Sequence, residues 1–102
     1  MITTQMTTQP ILIVEDEQGI AEFLTQVLSE IMPYPILPLP SAENALEAVR
    51  SIKPNLFLLD YRLPDIDGLE LSDRLHATEG LEAVPTVVML PLINQTVSGS
   101  IL

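Results

Sequence analysis

Two stretches of this chain are unbroken runs of large apolar side chains that end abruptly in acid. Ile11 to Val14, ILIV, runs into Glu15, Asp16 and Glu17, and Leu56 to Leu59, LFLL, runs into Asp60. A strand with one face in water alternates apolar and polar residues, whereas a continuous apolar run suits a strand covered on both faces, as inside a parallel sheet. Both runs therefore need other elements packed above and below them, which excludes most folds open to a short chain.

The intervening segments supply such layers. From Gln18 onward Ile20, Phe23, Leu24, Val27, Leu28 and Ile31 fall on one helical face, ended by Pro33. Tyr34 to Leu39 is apolar but broken by Pro35 and Pro38, and proline cannot donate to a ladder, so it reads as a weak edge strand. Ser41 then takes the N-cap position, with Asn44 where a capping box would carry Glu or Gln. Ala45, Leu46, Val49 and Ile52 form a second apolar stripe, stopped by Pro54 and Asn55. After the second run comes a turn-rich segment, Leu63 to Gly68, LPDIDG, and then a less regular helical pattern of Leu69, Leu71, Ser72 and Leu75, closed by Gly80. Pro85 to Leu90, PTVVML, reads as the last strand, and Pro91 to Leu102, PLINQTVSGSIL, has neither charge nor period. Strands alternating with helices predict an α/β fold, a parallel sheet with helices on both faces. One domain over 10–90 is expected, with a flexible segment over 1–9 and an atypical tail over 91–102.

Composition narrows the function. The chain has 102 residues, the size of one small domain, and carries 14 Asp plus Glu against 4 Lys plus Arg, a formal net charge of -10. That excess repels phosphate backbones and anionic lipid, so neither direct nucleic-acid binding nor membrane contact is expected. A hydrophobic fraction of 47% argues for a folded chain, yet no apolar run approaches the roughly 20 residues of a membrane span. MITTQMTTQ at the start has no positive charge and no apolar core, so it does not read as a secretory signal. The absence of cysteine is compatible with a reducing compartment, and a cytoplasmic protein is expected.

In an open parallel sheet, sites form beyond the carboxyl ends of the strands, where the strand order reverses. If the two apolar runs are neighbours, the carboxylates of Glu15, Asp16 and Asp60 converge there. Hard oxygen donors at close quarters suit Mg²⁺, and without a cation their repulsion costs stability. Glu17 is read instead as a helix N-cap, whereas Asp60 is not at a helix start because LPDIDG intervenes.

ILIVEDE, with LFLLDYRLPDIDGLEL about 45 residues later, resembles the receiver domain of two-component response regulators. The likeness rests on an acidic pair after the first strand, an Asp closing the third, Pro four residues after that Asp, and Asp-Gly seven and eight after it. SAENALEAVRSIKPNLFLLD also resembles that family's second helix and third strand, and the likeness covers about Pro10 to Leu90. It implies a flavodoxin-like, doubly wound sheet of order 2-1-3-4-5. It further implies that Asp60 accepts a phosphoryl group from a sensor histidine kinase or phosphotransfer protein, while Glu15, Asp16, Asp60 and the backbone carbonyl of Arg62 hold Mg²⁺. Such a chain is a signalling module and not an enzyme. Pro64 would set the turn, and Gly68 would occupy a position that a Cβ would hinder. Tyr61, Arg62 and Asp65 are read as solvated loop residues.

The chain departs from that family at its far end. The family carries Ser or Thr at the end of the fourth strand and Lys at the end of a fifth; here Leu90 or Pro91 stands at the hydroxyl position, with Thr86 and Thr96 the nearest hydroxyls. The one lysine is Lys53, and no basic residue follows His76, which is read as capping a helix end. Too few residues follow Pro91 for the last strand and helices, so an incomplete receiver fold of about four strands and three helices is expected. Its fourth strand would be an edge, and one face would expose Val, Leu and Ile of the central strands. Self-association into a homo-oligomer through that face is expected, or cover by 91–102. Loss of the hydroxyl and the lysine removes bonds worth about 1.5 to 3 kcal/mol each, so switching output is expected to be impaired. The competing reading is a non-catalytic interaction protein, or a degenerate gene product, that folds through self-association. A haloacid-dehalogenase-type phosphohydrolase would need a second Asp where Arg62 stands, and a Rossmann site would need glycines where EDEQG stands.

Overall fold

The computed structural model describes residues 9–91 of the chain. Its elements alternate as β1 (Ile11–Val14), α1 (Gln18–Ile31), β2 (Ile36–Leu39), α2 (Ala42–Ala48), β3 (Leu56–Asp60), α3 (Gly68–His76) and β4 (Thr86–Met89). The strands pair in parallel in the order β2-β1-β3-β4. The two unbroken apolar runs are thus the inner strands, and the proline-broken segment is an edge, as expected.

Alternation along the inner strands divides their side chains between two layers. Leu12, Val14, Phe57 and Leu59 face α2 and α3 and close a core with Ala42, Ala45, Leu71, Leu75, Leu81 and Val84. Ile11 and Ile13 point the other way, toward α1, and are also fully buried. Each such large side chain removed from water contributes about 1.5 to 3 kcal/mol.

Several boundaries differ from the sequence expectation for local reasons. The edge strand begins at Ile36, after Pro35, and not at Tyr34. The helix after Ser41 ends at Ala48, where the Arg50 and Ser51 amides turn back to the Glu47 and Ala48 carbonyls at 3.2 and 3.1 Å. Val49 and Ile52 remain half-buried just beyond it. α3 ends at His76 and not at Gly80, which lies in the following turn with φ of 90°. His76 does not cap its own helix. Its Nε2 lies 2.9 Å from both the Val84 carbonyl and Thr86 Oγ1, its Nδ1 lies 3.3 Å from Ser72 Oγ, and its ring meets Phe57 edge-on. The side chain ties the end of α3 to the start of β4.

The expected exposure of the central strands is met only in part, by the half-buried Leu56 and Leu58 of β3, and most of the exposed apolar surface lies elsewhere. The Ile side chains of β1 are covered; Phe23 (64% exposed) and Ile31 (67%) on α1, with Ile20, Val27 and Val87 of β4, are not. The residues of α1 nearest the sheet are Ala21, Leu24, Thr25 and Leu28, which are half-buried and rotated by about a quarter turn from the exposed line. Among the described residues β4 is paired on one side only. Segments 1–8 and 92–102, with Thr96, lie outside the described residues.

Candidate phosphoacceptor and cation site

The strand register builds the site. Val14 partners Leu59, so Glu15 and Asp60 stand abreast at the carboxyl end of the sheet, where β2 lies to one side of β1 and β3 to the other. One carboxylate oxygen from each of Glu15, Asp16 and Asp60 lies within 4.8 Å of the others. Glu15 is 5% exposed, Asp60 is half-buried and Asp16 faces solvent.

The surrounding backbone holds these groups in place. The Glu15 amide donates to the Leu39 carbonyl at 3.0 Å, and Glu15 Oε2 accepts from the Glu17 amide at 3.1 Å. Burial raises the Glu15 carboxyl above its ordinary range; the Glu17 amide opposes this, and the charges of Asp60 and Asp16 add to it. Glu17 is the N-cap of α1, as read from the sequence, its Oε1 accepting from the Ile20 amide at 3.0 Å. Asp60 Oδ1 accepts from the Arg62 amide at 3.3 Å, and the Tyr61 amide extends the sheet to the Met89 carbonyl at 2.9 Å. The Gly68 amide then closes the loop onto the Tyr61 carbonyl at 2.8 Å. A Cβ on Gly68 would lie 2.5 Å from the Asp60 carbonyl oxygen, so the loop passes too close to the strand end for any side chain there.

Among the described residues no basic group pairs with these carboxylates. The ion pairs of the described residues are Arg50 with Glu47, at the end of α2, and Arg74 with Glu70, on α3, both exposed. Three oxygen donors, one of them buried and none neutralised, are a donor set that fits a hard divalent cation. The Arg62 side chain is exposed.

Thr86 and Leu90 lie as the sequence reading has them, and Asp65 does not. Thr86 partners Phe57 while Asp60 partners Met89, so Thr86 sits about 10 Å down the strand from the site and is engaged with His76. Leu90, which directly follows β4, is exposed. Asp65, read as a solvated loop residue, is exposed but bound: Oδ1 accepts from the Ala42 amide at 3.2 Å and Oδ2 from the Glu43 amide at 2.9 Å. Burial pushes this carboxyl up, but the amides of Glu43, Ala42 and Ile66 outweigh it and hold it below the usual range. An acid in a turn whose partners lie 22 and 23 residues away leaves no local sequence signal.

The family model of the response regulator receiver domain matches residues 11–96. The chain belongs to that family. Receiver domains are signalling modules that take phosphoryl groups from histidine kinases or phosphotransfer proteins. This one is 40% identical to a positive alginate biosynthesis regulatory protein of Pseudomonas aeruginosa, over 72% of this chain and 31% of that protein. It is 38% identical to the DNA-binding response regulator MtrA of Mycolicibacterium smegmatis, over 87% of this chain and 37% of that protein. The receiver domain thus spans about a third of the length of these curated relatives. A CheY-like receiver domain from Methylobacillus flagellatus superposes with a TM-score of 0.76 at 30% identity, over 86% of this chain and 74% of that one. The doubly wound fold, with four strands and three helices among the described residues, follows from the same likeness. No helix of the described residues is long and apolar enough to cross a membrane.

Proposed function

We propose that this receiver domain accepts a phosphoryl group on Asp60 from a phosphohistidine donor, with Glu15, Asp16, Asp60 and the Arg62 carbonyl holding Mg²⁺. The observation that carries this reading is the convergence of three carboxylates with no basic partner at the end of β1 and β3. An Asp60 carboxylate oxygen attacks phosphorus, the bond from phosphorus to the donor imidazole breaks, and its electron pair returns to the ring nitrogen. The loop closed by Gly68 and the amide of Arg62 hold Asp60 in place for that attack. A bound divalent cation would neutralise charge on the oxygens of the transferred group. Neither the Leu90 nor the Pro91 side chain can donate a hydrogen bond to those oxygens, so switching output is impaired, while the nucleophile and the cation ligands that transfer needs remain. Wild type and Asp60→Asn incubated with Mg²⁺ and acetyl phosphate, then run on a phosphate-affinity gel, test the reading. A shifted band in wild type alone is expected; no shift in wild type overturns it.

A second reading, a non-catalytic interaction module that self-associates, is favoured by the exposed line of Ile20, Phe23, Val27 and Ile31. Sedimentation over a concentration series tests it, and a monomer at every concentration would rule it out.

A further inference from the structure

We infer that Asp65 is a positioning residue for the cation and phosphoacceptor site, anchoring the loop that carries the Arg62 carbonyl to the amino end of α2. The inference rests on the cation reading of Glu15, Asp16 and Asp60. The loop over residues 61–67 leaves β3 at Asp60 and returns to it at Gly68, so its base is held by the Gly68 amide on the Tyr61 carbonyl. Its far end would otherwise be free to tilt. There the Asp65 carboxylate spans the Ala42 and Glu43 amides at 3.2 and 2.9 Å and accepts from its neighbour Ile66 at 3.2 Å. Leu63 and Ile66 on either side of it lie half-buried against the core. A loop pinned at both ends presents the Arg62 carbonyl in one place, and groups that orient a ligand in this way typically alter metal affinity tenfold or more when removed.

The opposing possibility is that Asp65 serves only to complete α2. The geometry offers an internal control, because the next amide of the same helix end, that of Asn44, is met by Ser41 Oγ at 3.2 Å, and the hydrogen bonds of Ser41 go to α2 and not to the loop. Ser41→Ala weakens the same helix without releasing the loop.

Calorimetric titration of the full chain with MgCl2 separates the two. Asp65→Ala is expected to weaken Mg²⁺ binding about tenfold. Asp65→Asn is expected to fall between it and wild type, since its single carbonyl oxygen can serve one of the two amides. Ser41→Ala is expected to bind as wild type does. Wild-type affinity in Asp65→Ala, or equal weakening in Ser41→Ala, overturns the inference. Amide hydrogen exchange without metal supplies a readout free of the cation reading: Asp65→Ala should speed exchange at Gly68 and Ser41→Ala should not. Absence of Mg²⁺ binding by wild type would overturn the cation reading, and unchanged Gly68 exchange in Asp65→Ala would overturn the anchoring itself.

Discussion

Gly68 is the residue at which the site tolerates least. Its hypothetical Cβ would meet backbone, not a movable side chain, at 2.5 Å from the Asp60 carbonyl oxygen and 3.0 Å from Tyr61 Cα. Gly68→Ala is therefore expected to destabilise the domain by about 1 to 3 kcal/mol, read as a lower urea midpoint at unchanged slope. Glu15 acts in the opposite sense. Its raised pKa means that the folded state disfavours the ionised carboxyl, so its contribution to stability is present at low pH and lost as pH rises through the folded-state value. Glu15→Gln keeps the acceptor for the Glu17 amide and removes the charge. In metal-free buffer at neutral pH it should gain on the order of 1 kcal/mol, a Tm rise of about 4 to 8 °C, and added Mg²⁺ should then stabilise wild type alone. For Asp65, whose pKa is depressed, stability is present above the unfolded-state value and lost as pH falls through the folded one. The difference between wild type and Asp65→Asn should be largest near neutrality and shrink as pH falls through the folded-state value, as denaturant titrations at successive pH values would show.

At the scale of elements, the two phenylalanines of the chain make opposite forecasts. Phe57 on β3 is fully buried, and its replacement by Ala is expected to cost about 3 to 5 kcal/mol, much of the stability of a domain this size. Phe23 on α1 is exposed, and Phe23→Ser should change the unfolding free energy by less than about 0.5 kcal/mol. Thermal or urea unfolding distinguishes the two. The same contrast marks what the sequence can and cannot convey. The inner strands and the cluster at their ends were legible because an unbroken apolar run admits few environments and because Glu15 and Asp60 each terminate one. The position of α1 was legible from its period, but its orientation was not: the apolar stripe is wider than the sector facing the sheet, and a period alone does not say which part is covered. The end of α2 was misplaced because Val49 and Ile52 stay half-buried after the helix stops, and that of α3 because the Thr78 amide turns back to the Leu75 carbonyl before Gly80; the role of His76 was hidden because a carbonyl of a different segment, that of Val84, meets it. Asp65 escaped notice for the same reason, its partners being distant along the chain.

Across the whole molecule, a net charge of -10 on so small a body is a source of strain in the compact state. Like charges on the surface are screened over about 8 Å at physiological ionic strength, and the site adds a concentrated share of the repulsion. Raising NaCl from about 10 to 150 mM in metal-free buffer is expected to raise Tm by a few degrees in wild type and by less in Glu15→Gln, as differential scanning fluorimetry would measure. One further property follows from how the amino end of α2 is completed. Seven residues are too few to hold a helix on their own, and two of its leading amides wait for a carboxylate that comes more than 20 residues later. In a chain emerging from the ribosome those two amides are left to water until Asp65 has been made and the third strand is in place. The amino-terminal half is therefore expected to gain its full set of bonds only when the sheet and the loop beside Asp60 assemble, in a single late step.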